Sequence, residues 1–222
     1  MSEFSSLDSR EAIERELKTL AARYGEPARE DLCLSFGCQA TDGAAGGPIV
    51  YDETPVLDLY PRLQNHERRG EVVLLVSLPG QKTVVHTKPF YPEAVFRLPS
   101  GGIGWEEPAD AAALREMEEE TGWQADIAGF AGFCLFDLAW RGRHIYFPSY
   151  VFEMRPRSPV DGLPKPRDTA EGIGEMRIIP MHTLPYWTER LESLTGSWAG
   201  WGRFRAWPHR LAWRYLQARD GS

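Results

Sequence analysis

The segment Glu71-Val-Val-Leu-Leu-Val-Ser-Leu78 constrains the fold more than any other part of the chain. A strand with one solvated face alternates apolar and polar residues, whereas a near-continuous apolar run marks a strand buried on both faces. A sheet built around such a strand needs a cover on each side, and the flanking sequence supplies candidates. Residues 8–24 place Ile13, Leu17, Leu20 and Tyr24 on one helical face, with Asp8 as cap and Glu11 three positions on. Residues 108–121 read as a second helix, opened by Pro108 and closed by Gly122. A third helix begins in MHTLPYWTERLESL, and PHRLAWRYLQA reads as a terminal one.

Strands fill the intervals. TVVHTKPF follows the turn LPGQK and is expected to return as the hairpin partner of residues 71–78. AVFRLP reads as a short strand, SGGIG as a glycine-rich loop, and IAGFAGFCLFDL, HIYFPSYVFEM and EMRIIP as further strands. The stretch from 156 to 174, rich in Pro and Gly, reads as a surface loop. These elements lack the regular period of a doubly wound sheet, so the expectation is a mixed α/β (α+β) fold with helices packed on a mixed sheet.

The net charge of −7 argues against nucleic acid as a partner, because phosphate-backbone binding needs clustered Lys and Arg. It does not argue against a small phosphorylated substrate, since a bound metal can supply local positive charge. Cys33, Cys38 and Cys134 form no CxxC pair and read as reduced thiols. No apolar run approaches the length that spans a bilayer, and the N-terminal residues show no signal-peptide core. The expectation is a cytoplasmic protein without a membrane partner.

The chemistry concentrates in residues 101–123. On a helix, Glu116, Glu119 and Glu120 stand at i, i+3 and i+4 and share one face. Three carboxylates so placed repel one another, and a hard divalent cation such as Mg²⁺ is the natural counter-charge. Arg115 precedes the cluster and can fork onto a carboxylate; Glu107 lies in the loop that leads into the helix. A run such as EMEEE is ordinarily a solvated helix face. The spacing overrides that reading. The segment matches G-x5-E-x7-R-E-U-x-E-E-x-G-U, with U a bulky apolar residue, at Gly101, Glu107, Arg115, Glu116, Met117, Glu119, Glu120, Gly122 and Trp123. Composition alone would produce this match at roughly one start in ten million.

That pattern is the Nudix box, and the chain resembles the Nudix hydrolases. The resemblance implies an α/β/α sandwich with a mixed sheet over residues 69–190. Residues 1–68 would be a helix-and-strand extension, and 191–222 a C-terminal helical segment packed on the core. It implies Mg²⁺ or Mn²⁺ held mainly by Glu119 and Glu120, with Glu116 a further ligand or base and the backbone carbonyl of Ser100 completing the shell, and with Glu107 and Arg115 orienting them. It further implies hydrolysis of a small-molecule nucleoside diphosphate derivative, for which ADP-ribose and nucleotide sugars stand first. In relatives the general base is either a box glutamate or a glutamate in a later loop, which here points to Glu171 and, less well, Glu175. Trp105 replaces a more usual small or polar loop residue and is expected to affect only the loop surface.

Markers of NADH-type and coenzyme A-type members are absent, and so are the proline and tyrosine that mark some ADP-ribose and dinucleoside-polyphosphate hydrolases about 16 residues beyond the box, where this chain reads LAWRGR. The N-terminal extension resembles in outline the segment through which ADP-ribose-type members form homodimers. Two other functions compete: a non-catalytic regulator that keeps the fold, and an RNA 5′-end hydrolase. The complete carboxylate set opposes the first, and the acidic balance opposes the second. The aromatic and arginine-rich C-terminus, including Trp201, Phe204, Trp207, Arg205 and Arg210, reads as a helix docked on the core with surface arginines.

Overall fold

Strand β3 (Gly70–Val76) is buried along its whole length. In the computed structural model, which describes residues 10–35, 49–50, 68–140, 143–160, 162–167 and 172–220, it sits inside a six-stranded sheet. The other strands of that sheet are β1 (Ala28–Ser35), β2 (Ile49–Val50), β5 (Ser100–Ile103), β6 (Ala125–Trp140) and β7 (Arg143–Pro156), in the order β2-β1-β6-β7-β3-β5. Three neighbouring pairs are parallel and two antiparallel, so the sheet is mixed. A separate antiparallel pair joins β4 (Lys82–His86) to β8 (Met176–Pro180).

Helices cover both faces. Alternate residues Val72, Leu74 and Val76 pack with Ile13, Leu17 and Leu20 of α1 (Arg10–Tyr24) and with Ala109, Ala112, Ala113 and Met117 of α2 (Ala109–Thr121). Val73 and Leu75 face the other way, toward Leu184 of α3 (Leu184–Glu192) and Ala212 and Leu216 of α4 (Ala199–Asp220). The period of two on a strand sends successive side chains to opposite faces. That geometry is why an unbroken apolar run serves two cores, and the result is the expected α/β/α sandwich.

Several sequence expectations are corrected. β3 and β4 are not hairpin partners; only the Leu78–Lys82 bridge spans their turn, and β4 pairs with β8 instead. AVFRLP is not a strand, apart from the His86–Arg97 bridge. SGGI, expected as loop, is β5, because β3 offers it an open edge despite the poor strand propensity of glycine. The terminal helix starts at Ala199, with Pro208 inside it. Trp201 and Phe204, buried in a cluster with Leu191, Phe136 and Phe147, hold the extra turns that Pro208 would otherwise discourage. Asp8, Cys38 and Glu171 lie outside the described residues, as do the side chains of Cys33 and His144. Among the described residues no helix is long and apolar enough to cross a membrane.

Candidate active site

The site begins where β5 pairs with the first residues of β3, Gly101 opposite Val72 and Gly102 opposite Glu71. The chain then turns at Gly104, whose N–H donates to Glu107 Oε2 at 2.9 Å while its carbonyl accepts from the Glu107 N–H at 3.1 Å. α2 follows and ends at Gly122. This residue takes φ 75°, where a side chain would be strained, and its N–H donates to the Glu118 carbonyl.

Arg115 ties loop to helix. Its Nε donates to Glu107 Oε1 at 2.8 Å and Nη2 to Glu107 Oε2 at 2.9 Å, the forked geometry that suits a carboxylate. Nη2 also reaches the Gly102 carbonyl at 2.8 Å. Nη1 donates to Glu116 Oε1 and to Glu119 Oε2, each at 2.7 Å. One guanidinium thus binds three of the box carboxylates. It holds the Glu107 carboxyl below its ordinary range, helped by the Gly104 N–H and opposed by burial. In return the acids hold the guanidinium charged, Glu107 foremost.

The three glutamates of the shared helix face differ in exposure. Glu120 and Glu116 are buried, and the Glu119 side chain is 40% exposed. The Glu116 carboxylate lies directly over Gly101, in space that a Cβ would fill. Glu120 is close enough to the buried Arg97 guanidinium to reinforce its charge. Beyond them, Lys165 N–H and Arg167 N–H donate to the carbonyls of Thr121 and Glu119, and Arg167 pairs with Glu118, fastening the end of α2.

Ser100 is brought beside Gly101 at the start of β5, and its Oγ bonds Arg97 Nη1 at 2.5 Å. Glu175 is exposed and paired with Arg177, which holds its carboxyl below the ordinary range. Among the described residues no three His, Cys, Asp or Glu side chains form a ready metal-binding group; Arg115 Nη1 bonds both Glu116 and Glu119. A cleft of about 680 Å³, lined in part by Ser77, Glu153, Arg157 and Arg219, contains no residue of 100–123 and is therefore separate from the box.

Sequence patterns did not disclose the polar groups beneath the box. Glu71 on β3 is buried, accepting from Ser149 Oγ at 3.0 Å and pairing with Arg205 of α4. His209, also on α4, accepts the Leu98 N–H at 2.9 Å. Burial, followed by the charges of Arg97 and Arg205, pushes His209 down to about 3. Each of these partners is more than seventy residues away in sequence, so no local pattern could pair them. Arg205, expected at the surface, is instead drawn inward by the buried Glu71, its side chain 12% exposed; Trp207 and Trp213 pack against the core, and Arg210 pairs with Glu192, as expected.

A loop–helix–loop with this carboxylate set, on a mixed sheet covered by helices, defines a class of phosphate-anhydride hydrolase. The family model of the NUDIX domain matches residues 64–195, more than half of the chain, and the protein belongs to the Nudix family as a Nudix hydrolase. Among solved structures it is similar to a NUDIX hydrolase from Nitrosomonas europaea, at 16% identity and TM-score 0.42, covering 55% of this chain and 78% of that one. It is also similar to a MutT NUDIX hydrolase from Burkholderia pseudomallei, at 20% identity and TM-score 0.39, covering 52% and 84%. The E. coli ORF135 protein is a third, at 12% identity and TM-score 0.38, covering 52% and 76%. No curated protein matches the chain significantly.

Proposed function

We propose that the protein hydrolyses the diphosphate bond of a nucleoside diphosphate linked to a second group, ADP-ribose or a nucleotide sugar first among them, with Mg²⁺ or Mn²⁺ as cofactor. The carrying observation is the convergence of Glu107, Glu116 and Glu119 on Arg115, with Glu116 seated over Gly101. The donor set fits a hard cation: all its side-chain ligands are carboxylate oxygens, and the missing Cβ at Gly101 keeps space for one of them. Glu116, Glu119, Glu120 and the Ser100 carbonyl would hold it. When bound, such a cation supplies charge neutralisation at the phosphate oxygens and a water acidic enough to attack near neutral pH.

The chain's own residues do the rest. Arg115 and Glu107 fix the directions of Glu116 and Glu119. A box glutamate takes the proton from the attacking water. The water oxygen bonds one phosphorus, the bridging oxygen leaves with the other, and two phosphorylated products result.

A panel of ADP-ribose, nucleotide sugars, dinucleoside polyphosphates, NADH, coenzyme A and oxidised nucleoside triphosphates, with Mg²⁺ and with Mn²⁺, tests the reading. Turnover is expected on a diphosphate-linked nucleoside. Glu119→Gln is expected to lower it about 100-fold or more while leaving cooperative unfolding unchanged. Wild-type turnover by that variant in Mg²⁺ overturns the assignment.

A further inference from the structure

A helix leaves its first backbone N–H groups without partners inside the helix, and a side-chain acceptor at the preceding residue normally serves them. α2 cannot use that device. Its N-cap is Pro108, which makes no side-chain cap bond. Asp110 Oδ1 accepts the Ala111 N–H at 3.0 Å, but the first helical N–H is served from α1: the Ala109 N–H donates to Glu16 Oε1 at 3.0 Å across a separation of 93 residues. The match to the family domain starts at residue 64, so Glu16 lies outside it.

The same carboxylate is anchored by two more groups. Arg69 forks onto it, Nη1 to Oε2 at 2.7 Å and Nη2 to Oε1 at 2.8 Å, and the Tyr150 hydroxyl donates to Oε2 at 2.8 Å. The Arg69 side chain is 5% exposed, so its charge requires this partner. Arg69 Nη2 also donates to the Glu107 carbonyl at 2.5 Å. A continuous path therefore runs from Glu16 through Arg69 to the Glu107 backbone, then through the Glu107 carboxylate to Arg115, Glu116 and Glu119. Near the end of α1, Arg23 and Tyr24 both bond Asp110 in the first turn of α2. A carboxylate at that end of α2 also complements the positive end of the helix dipole.

We infer that Glu16 is a positioning residue: α1 supplies the cap that sets the start of the box helix and, through Arg69, the loop carbonyl of Glu107. It touches no reacting atom. The catalytic part of this inference rests on the function proposed above; the capping part does not.

The test compares Glu16→Ala and Glu16→Gln with Glu14→Gln, a change on the same helix at a residue that pairs with Arg29 and not with the box. Three readouts apply: amide hydrogen exchange along α2, Mn²⁺ binding by EPR, and kcat and KM. Glu16→Ala is expected to speed exchange about tenfold in the first turn of α2. It should weaken Mn²⁺ binding and lower kcat by about tenfold or more, with KM little changed. Glu14→Gln should match wild type on all three. If Glu16→Ala does not fold, Glu16→Gln decides by the same readouts. Wild-type exchange at the start of α2 with wild-type Mn²⁺ affinity overturns the inference, as does protection lost evenly over all helices with kcat unchanged. If the wild-type protein cleaves no diphosphate, the proposed function fails, while exchange and Mn²⁺ binding still judge Glu16.

Discussion

A Cβ on Gly101 would stand 1.7 Å from the carboxyl carbon of Glu116 and 2.0 and 2.1 Å from its oxygens. Glycine at this position is therefore a condition for the carboxylate, and the backbone of β5 could itself accept alanine. Gly101→Ala is expected to push the flexible end of Glu116 aside and leave the strand in place. Turnover should fall about 100-fold, the effect of misplacing a group by about an ångström. The thermal midpoint should stay within a few degrees of wild type. Retained activity in this variant would mean that Glu116 is not needed where the structure puts it.

Glu71 and Arg205 form a cross-link between β3 and α4, with side chains 2% and 12% exposed. Truncating one member leaves the other charge in a poorly solvated place, which costs more than the pair itself is worth. Glu71→Ala is expected to lower the unfolding free energy by about 3–5 kcal/mol in urea titrations. The double variant Glu71→Leu/Arg205→Met should recover most of that loss. Equal losses in the single and double variants would show that the pair is not what the site requires.

His86 and His209 are both buried and neutral in the fold. Burial is the main cause for each, and the neighbouring charges of Arg97 and Arg205 act in the same direction. Their folded pKa values lie below the unfolded value near 6.5, so below that pH the unfolded chain binds more protons and stability falls. The effect is absent above about pH 6.5 and grows until the folded value, about 3 for His209, is reached. Glu107 acts lower, its depressed carboxyl losing its contribution only below the ordinary carboxylate range. Between pH 7.5 and 5 the unfolding free energy is expected to drop by about 2 kcal/mol through His209, and His86 acts in the same direction. His209→Gln keeps an acceptor for the Leu98 N–H and should remove its share of the drop. An unchanged pH dependence in that variant would exclude His209 as its source.

Features carried by local geometry could be read directly from residue spacing. Helical periodicity put Glu116, Glu119 and Glu120 on one face, and the length of the apolar run at 71–78 required cover on both sides of the sheet. Gly122 terminates α2 because few other residues adopt its backbone conformation without strain. Spacing is silent where pairing is non-local. Residues 82–86 carry a strand pattern, but nothing in that pattern says whether β3 or β8 is the partner. SGGI has low strand propensity, and the free edge of β3 makes it a strand.

The sequence by itself determined the class of chemistry, because Gly101, Glu107, Arg115 and the helix acids lie within one loop and one helix, where spacing fixes direction. Only the tertiary structure decided what holds that machinery in place. Glu16 on α1, Arg69 before β3, and Glu71 with Arg205 of α4 meet through packing of elements far apart in the chain. A buried charge selects its partner by proximity in space and by the cost of leaving it without one, and that cost exists only once the layers of the sandwich have closed over it.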